Sequence, residues 1–199
     1  MPAEWTPHEC CWMAWPDSKP VWGDMLERSQ RGYADVANAI AAFEPVGMLT
    51  PPQAVTRARA LCGANIEIIP WSLDDAWMRD TGPNFVRNSQ GEVAASIFQF
   101  NAWGQKYRWY RHDAALGHQL AESLGIHTFT SPIFMEGGGI NTDGEGTLLT
   151  TEQCILHENR NPDISKQEAE DHLCEALGVE KVIWLRGDPD DHETDGHVD

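Results

Sequence analysis

Apolar residues recur at helical spacing in four stretches of the chain, and three of these stretches run through a glycine into a short apolar segment. The spacing predicts helices at 52–62, 110–124 and 165–177, with a fourth near 24–43. The glycines that follow the first three helices are Gly63, Gly125 and Gly178. Glycine readily adopts the left-handed conformation that ends a helix, so each of these boundaries has a physical cause.

Short apolar segments bounded by turn residues predict six strands. Three of them follow the helix-ending glycines, at 66–69, 126–130 and 182–185. The other three are predicted at 10–15, 93–98 and 147–151. Glycine-containing turns at 88–92 and 141–145 lead into the last two of these strands, which is typical of β-hairpins.

The helices, strands and turns recur at a nearly constant interval. The three glycines are 62 and 53 residues apart, and the two turns are 53 residues apart. A unit of roughly 55–60 residues that mixes strands with one helix, used about three and a half times, indicates an α/β propeller built by radial repetition. We therefore expect residues 1–199 to form a single, incomplete propeller domain.

Titratable residues follow the predicted strand in each of the repeating units. Asp80 follows the first, Glu136 the second, and His197 with Asp199 the third, at intervals of 56 and 61 residues. An isolated acid beside a glycine is usually a turn residue. Equivalent positions of a closed radial array converge on one axis, however, so the recurrence favours one central site.

Several kinds of site fit these residues poorly. His192 and His197 are five residues apart, a rotation of roughly 140° on a helix, so a helix would not let both ligate one metal ion, although a metal site built on a loop stays open. No serine stands in a G-x-S-x-G elbow. The glycines at 137–139 lack the spacing of a dinucleotide-binding loop.

A guanidinium group suits the same residues better. It is planar and cationic, and carboxylates bind its N–H groups in pairs. We expect Asp80 and Asp199 to grip its two edges. His197 is expected to move protons if Glu136 holds its other ring nitrogen.

The composition restricts the class of protein, its binding partners and its cellular compartment. The net charge is −17 and hydrophobic residues make up 41% of the chain, so we expect a folded protein that repels nucleic acid and attracts small cations. Five cysteines without zinc-type spacing, no secretory signal and no apolar membrane span predict a cytoplasmic protein with free thiols. The chain reaches Asp199 inside its richest cluster of titratable groups, so we expect it to be the front part of a longer enzyme.

Seven short motifs resemble a single family. Those around the predicted site are WMRDTGP (77–83), EGGG (136–139) and ETDGHVD (193–199). The others are MPAEW (1–5), WMAWP (12–16), FNAWG (100–104) and NRNP (159–162). Together they resemble the guanidine-modifying deiminases of the pentein fold, and agmatine deiminase most closely, over essentially the whole chain.

The resemblance implies a five-bladed α/β propeller, of which this chain supplies about three and a half blades, with a central site that needs neither metal nor cofactor. Asp80 and Asp199 would bind the substrate guanidinium. His197 would act as general acid and base, with Glu136 hydrogen-bonded into the same network.

The resemblance also implies a substrate and a nucleophile. Trp77 would line the pocket, and Glu193 would receive the distal amine of agmatine. A cysteine beyond Asp199 would attack the guanidinium carbon and expel ammonia, and water would then release N-carbamoylputrescine on the route to putrescine. None of the five cysteines here stands in the nucleophile's motif, so most are expected to be small buried hydrophobes and the isolated chain to be inert.

Two alternatives stay open. Within the family, an arginine or peptidyl-arginine deiminase is the second choice, because Glu193 and the acidic charge suit an amine better than the α-carboxylate of arginine. From another class, the chain could be a non-catalytic module that binds a guanidinium or a polyamine. The sequence also leaves room for a homo-oligomer.

Overall fold

The computed structural model describes all residues from 1 to 199, which form three three-stranded sheets. In each sheet the strands lie side by side in chain order. The chain divides into two compact units: a small unit, Pro7–Met78, and a large unit, Met1–Thr6 with Arg79–Asp199. None of the helices is both long enough and apolar enough to cross a membrane.

The small unit contains one sheet in which all neighbouring strands are parallel. Its strands are β1 (Cys11–Ala14), β2 (Val46–Thr50) and β3 (Ile66–Pro70). Its helices are α1 (Lys19–Trp22), α2 (Leu26–Ile40) and α3 (Val55–Leu61), with 3₁₀ turns at Gly23–Met25 and Pro52–Ala54. Parallel neighbours need a long crossover connection, and α2 and α3 supply the two crossovers. The central strand β2 is buried at all five positions.

The large unit contains two sheets, each of which begins with a hairpin and ends with a helix crossover. The strands of one sheet are β4 (Asn84–Arg87), β5 (Val93–Gln99) and β6 (His127–Phe134). The strands of the other are β7 (Ile140–Thr142), β8 (Thr147–Thr151) and β9 (Lys181–Leu185). The helical segments are α4 (Met78–Thr81, which starts at the last residue of the small unit), α5 (Ala102–Gln105), α6 (Arg111–Ser123), α7 (Glu152–Ile155) and α8 (Lys166–Leu177), with a 3₁₀ turn at Gly137–Gly139. In both sheets the first pair of strands is antiparallel and the second pair is parallel.

The predicted elements agree with these bounds to within a few residues. All six predicted strands and all four predicted helices are present, and both predicted turns close hairpins. The strands β2, β4 and β7 were not predicted. In β2 the apolar pattern is interrupted by Gly47, where a Cβ would lie 2.5 Å from the ring of Trp12, so the glycine admits that ring.

Two of the three helix-ending glycines behave as predicted. Gly125 and Gly178 have φ values of 66° and 64°, in the left-handed region. The prediction for Gly63 is wrong, because the chain leaves α3 one residue earlier, where Cys62 is extended. The Asn38 side chain then accepts a hydrogen bond from Gly63 N–H at 2.7 Å and donates to Leu61 O at 3.2 Å, which removes the need for a left-handed residue.

The core of the large unit supports the segment that carries Glu136. Leu148 in β8 and Leu173 and Leu177 in α8 are fully buried in one cluster. Met135 and Ile140 are buried in the same cluster and flank the Glu136–Gly139 segment. This segment is therefore anchored at both ends by apolar packing.

Candidate active site

Four of the predicted site residues meet in the large unit. Asp80 lies in α4, Glu136 follows β6, and His197 and Asp199 follow β9. His197 Nε2 lies 3.3 Å from Glu136 Oε2. The other ring nitrogen, Nδ1, lies 3.7 Å from a carboxylate oxygen of Asp80 and 3.7 Å from one of Asp199. The predicted convergence of these four side chains is thus present, while their chemical roles stay predictions.

The glycine run at 137–139 makes this convergence sterically feasible. A Cβ at Gly138 would lie 2.5 Å from His197 Nδ1 and 2.6 Å from Asp80 Oδ1. Gly138 N–H donates to Asp80 Oδ1 at 3.0 Å, and Gly138 O accepts from Val198 N–H at 3.0 Å. The bare backbone at this position therefore joins the segment that carries Asp80 to the one that carries His197.

Asp80 is held by neutral donors. Its second oxygen, Oδ2, accepts a hydrogen bond from the indole N–H of Trp103 at 3.0 Å. Burial raises the pKa of Asp80 above its ordinary value, although His197 and the two hydrogen bonds act in the opposite direction. No lysine or arginine is among the hydrogen-bond and ion-pair partners of this carboxylate.

Trp103 reaches Asp80 from a strained turn. The four residues of α5 all have positive φ values, between 53° and 84°, so the segment is a left-handed turn. Left-handed backbone costs roughly 1–2 kcal/mol for each residue other than glycine. Asn101 stabilises the turn by accepting from Gly104 N–H at 2.8 Å and donating to Asn159 O at 3.0 Å. Strain of this kind is concentrated at functional sites.

Behind His197 lies a buried ion pair. The side chains of Glu136 and Arg160 are both completely buried. Arg160 Nε lies 3.0 Å and 2.9 Å from the two oxygens of Glu136, to which it donates. Burial alone would lower the pKa of Arg160, but the carboxylate of Glu136 raises it, and the net pKa lies above the ordinary value.

Asp195 is the second carboxylate of this ion-pair network. Its Oδ2 accepts from Arg160 Nη1 at 2.6 Å, from Lys106 Nζ at 2.7 Å and from Asn159 Nδ2 at 3.1 Å. Burial raises the pKa of Asp195, but these donors lower it by more, so the pKa lies below its ordinary value. Glu136, Arg160, Asp195 and Lys106 together carry two negative and two positive charges, so the network is neutral.

Cys154 also touches Glu136 and was not predicted as a site residue. It is fully buried, and its Sγ lies 3.7 Å from Glu136 Oε2. Burial, followed by the nearby Glu136 carboxylate, raises the pKa of this thiol, so it stays protonated and is a poor nucleophile. All five cysteines are free.

The remaining predicted residues, Trp77 and Glu193, lie elsewhere in their units. Trp77 belongs to the small unit, where it stacks on Trp22 with ring centroids 5.7 Å apart and donates to Asp75 Oδ2 at 2.7 Å. Glu193 is exposed, and its carboxylate accepts a hydrogen bond from the Tyr107 hydroxyl. Their assigned contacts with a substrate stay predictions.

Two cavities have different linings. One, of about 360 Å³, lies in the small unit and is lined by apolar and small side chains without a charged group. The other, of about 280 Å³, lies in the large unit and reaches His197 and Val198. The second cavity is also lined by Arg186 and Asp188, and His197 is the one member of the four converging residues in its lining.

The ligand atoms of the site could also hold a metal ion. Glu136, Cys154 and His197 form one group of three such atoms, and Asp80, His197 and Asp199 form another, in each case within 4.8 Å of one another. In the first group Glu136 is already paired with the guanidinium of Arg160, which disfavours the binding of a metal ion there. His192 is exposed and belongs to neither group.

Most of the residues that sequence reasoning missed lie in three of the motifs it had singled out, and one of them, Asp195, lies in ETDGHVD. Trp103 comes from the FNAWG motif, and Arg160 with Asn159 comes from NRNP. Their spacing along the chain gives no hint of the contacts, because Arg160 and Asp195 are 35 residues apart and Lys106 and Asp195 are 89 apart.

Sequence comparison relates the whole chain to one family. The sequence profile described as Porphyromonas-type peptidyl-arginine deiminase matches residues 1–199. Over its full length the chain is 46% identical to a Mycoplasma capricolum protein provisionally named as an agmatine deiminase, and it covers 56% of that protein. It is 45% identical to a protein of Legionella pneumophila with the same provisional name and covers 58% of it. The chain thus spans little more than half the length of these relatives.

Solved structures agree with the sequence relatives. The agmatine deiminase of Enterococcus faecalis matches 100% of this chain and 56% of its own, with a TM-score of 0.95 and 38% identity. A cysteine-to-serine variant of C. jejuni agmatine deiminase with substrate bound matches 98% of this chain and 59% of its own, with a TM-score of 0.87 and 29% identity. The expected α/β pentein fold is therefore confirmed, while the number of blades is untested.

Proposed function

We propose a function that starts from the family of this chain. The chain belongs to the Porphyromonas-type peptidyl-arginine deiminase family, and its protein hydrolyses agmatine to N-carbamoylputrescine and ammonia. The observation that carries the proposal is the meeting of Asp80 and Asp199 at one nitrogen of His197, 3.7 Å from each carboxylate. With the ion-pair network behind them neutral, these two aspartates leave the site negatively charged, as a guanidinium requires.

In the proposed reaction Asp80 and Asp199 hold the guanidinium while a cysteine thiolate attacks its carbon. The sulfur–carbon bond forms, and ammonia leaves with a proton from His197. His197 then takes a proton from water, which adds to the carbon as the sulfur–carbon bond breaks and the ureido product is released. Glu136 steadies the imidazole through Nε2.

The attacking cysteine in this proposal is not Cys154, since its buried thiol is held protonated. We place it in the part of the relatives' length that this chain does not span. The substrate-bound neighbour, a cysteine-to-serine variant, supports a cysteine in the chemistry of that protein. The proposal includes a five-bladed propeller, of which this chain carries about three and a half blades, and a pocket lined by Trp77 with Glu193 at the distal amine.

The substrate is tested by measuring ammonia release from agmatine, free arginine and a peptidyl-arginine with the full-length protein. A like-charge contact costs several kcal/mol, so the acidic site should disfavour the arginine carboxylate and give agmatine a kcat/KM at least about 100-fold higher. His197→Ala removes the proposed general acid and base, so it should lower kcat by about 10²–10⁴-fold.

The same assay separates the alternatives. Equal or better turnover of arginine or peptidyl-arginine would show that the substrate is arginine or peptidyl-arginine, within the same family. The observation that supports this alternative is the similarity to a Porphyromonas gingivalis protein provisionally named as an arginine deiminase. Tight binding of agmatine without turnover would identify a binding module instead.

A further inference from the structure

Arg160 lies in the candidate site but has no part in the proposed reaction. Its side chain is completely buried, and each of its three nitrogens has a partner. Nε donates to Glu136, Nη1 to Asp195 at 2.6 Å and Asn159 at 3.1 Å, and Nη2 to Thr194 O at 2.9 Å. A guanidinium placed in this way links the segment after β6 to the segment after β9.

The first consequence concerns the charge of Glu136. A carboxyl group that is fully buried without a cation favours its protonated form, because burial penalises the charge. Arginine remains protonated in proteins and offers only donors, so Arg160 favours the ionised, accepting form of Glu136. An ionised Glu136 has no proton to give to His197.

The second consequence concerns the tautomer of His197. Its Nε2 lies 3.3 Å from Glu136 Oε2, within hydrogen-bond distance of a group that can only accept, whereas Nδ1 lies 3.7 Å from Asp80 and from Asp199, so Nε2 is the nitrogen that carries the hydrogen. In neutral His197 the free lone pair is then on Nδ1, the nitrogen that faces Asp80 and Asp199. The backbone of Gly138 packs against Nδ1, which requires glycine because a Cβ at this position would lie 2.5 Å from that nitrogen.

We infer that Arg160 is a positioning residue that sets which nitrogen of His197 carries the proton. It does so by keeping Glu136 ionised, and it holds the His197 segment in register through Asp195 and the Thr194 carbonyl. The consequence for catalysis rests on the proposed function, since Nδ1 must be the nitrogen that exchanges protons with the substrate. The assignment of the tautomer itself does not depend on which substrate is used.

The test compares the wild type with Arg160→Lys and Arg160→Gln, and uses Arg87→Gln as the control because Arg87 is an exposed arginine of the same unit. Nitrogen-15 NMR of protein labelled at histidine distinguishes a protonated ring nitrogen from a bare one, and His197→Gln identifies the signal. We expect an Nε2–H tautomer in the wild type, in Arg160→Lys and in Arg87→Gln. In Arg160→Gln no cation faces Glu136, so the preference for the Nε2–H tautomer should be lost and part of the signal should move to the Nδ1–H form.

The kinetic arm uses the same variants of the full-length protein. Because the Arg160 side chain is completely buried behind Glu136, Arg160→Gln should lower kcat by about 100-fold and alter its pH profile while KM stays within about threefold. Arg160→Lys, which keeps the charge, should recover part of the loss. A purely structural role would lower the stability without moving the tautomer or the shape of the pH profile.

Each outcome decides the inference. An Nδ1–H tautomer in the wild type overturns it at once, as does a folded Arg160→Gln that keeps both the wild-type tautomer and the wild-type pH profile. Failure of both Arg160 variants to fold would show that the residue serves the fold as a whole, which also overturns a positioning role. If the protein does not turn over agmatine, the proposed function fails, while the NMR result still decides the role of Arg160.

Discussion

Asp80 and Asp195 both lie at the candidate site, and their charged surroundings differ. Both side chains are only 9% exposed. Asp80 accepts hydrogen bonds from an indole N–H and a backbone N–H, and burial raises its pKa even though His197 Nδ1 lies 3.7 Å away. Burial acts on Asp195 as well, but hydrogen bonds from Lys106, Arg160 and Asn159 outweigh it and lower its pKa.

The difference shows how one residue type can serve two purposes. The chain supplies cations for Asp195, so that carboxylate is satisfied within the fold and stabilises it. Asp80 receives only neutral donors, and each of its oxygens keeps a further lone pair for a ligand. A cationic substrate would relieve the cost of burying Asp80, whereas Asp195 has nothing left to gain from one.

The largest effect is expected from removing the charge of Asp195. Asp195→Asn leaves Lys106 and Arg160 with one carboxylate too few, and breaking such a buried pair costs about 3 kcal/mol or more. Asparagine tolerates the positive φ of 61° at this position, so the backbone is not strained by the change. Urea unfolding should show the loss, and Asp190→Asn, an exposed aspartate of the same segment, should show almost none. A loss below about 1 kcal/mol would contradict the structural role of Asp195.

The corresponding change at the other aspartate is Asp80→Asn, which should lower activity towards the substrate more than it lowers the stability of the fold. Truncating one partner of a buried charge pair costs about 2–5 kcal/mol, so kcat/KM for agmatine should fall by roughly 30-fold or more. The free energy of unfolding should change less than in Asp195→Asn, because burial of the Asp80 charge is itself unfavourable. If Asp80→Asn kept full activity and lost as much stability as Asp195→Asn, the two aspartates would not differ as proposed.

The smallest effect is expected in the pH dependence of the stability of the two variants. This measurement tests the difference between Asp80 and Asp195 most directly. The folded-state pKa of Asp195 lies below its ordinary value of 3.8, so its stabilisation is present above that pH and is lost as the pH falls through the folded pKa. The stability gap between the wild type and Asp195→Asn should therefore close in acid. The pKa of Asp80 is raised above 3.8, so the wild type loses stability relative to Asp80→Asn as the pH rises through the folded pKa. Thermal unfolding from about pH 2 to pH 8 measures both trends, and parallel curves would refute the comparison.

Much of the fold was predictable because its signals are local. Gly125 and Gly178 end helices with backbone angles that other residues rarely adopt, and the turn at 88–92 closes a hairpin over five residues. The recurrence of these signals also predicted that Asp80, Glu136 and His197 would converge. Gly63 was misread because a side chain from α2, Asn38, completes the end of α3, and a pattern along one helix does not include its neighbour.

The sequence by itself therefore determined six of the nine strands, the long helices and the convergence of Asp80, Glu136, His197 and Asp199, since these depend on spacing along the chain. Only the tertiary structure decided which carboxylate would be neutralised within the protein and which nitrogen of His197 would face the two aspartates. Those properties depend on burial and on cations such as Lys106 and Arg160, which lie 89 and 35 residues from Asp195 in the chain. The free energy of a charge depends on its surroundings in space, and a one-dimensional pattern does not contain those surroundings.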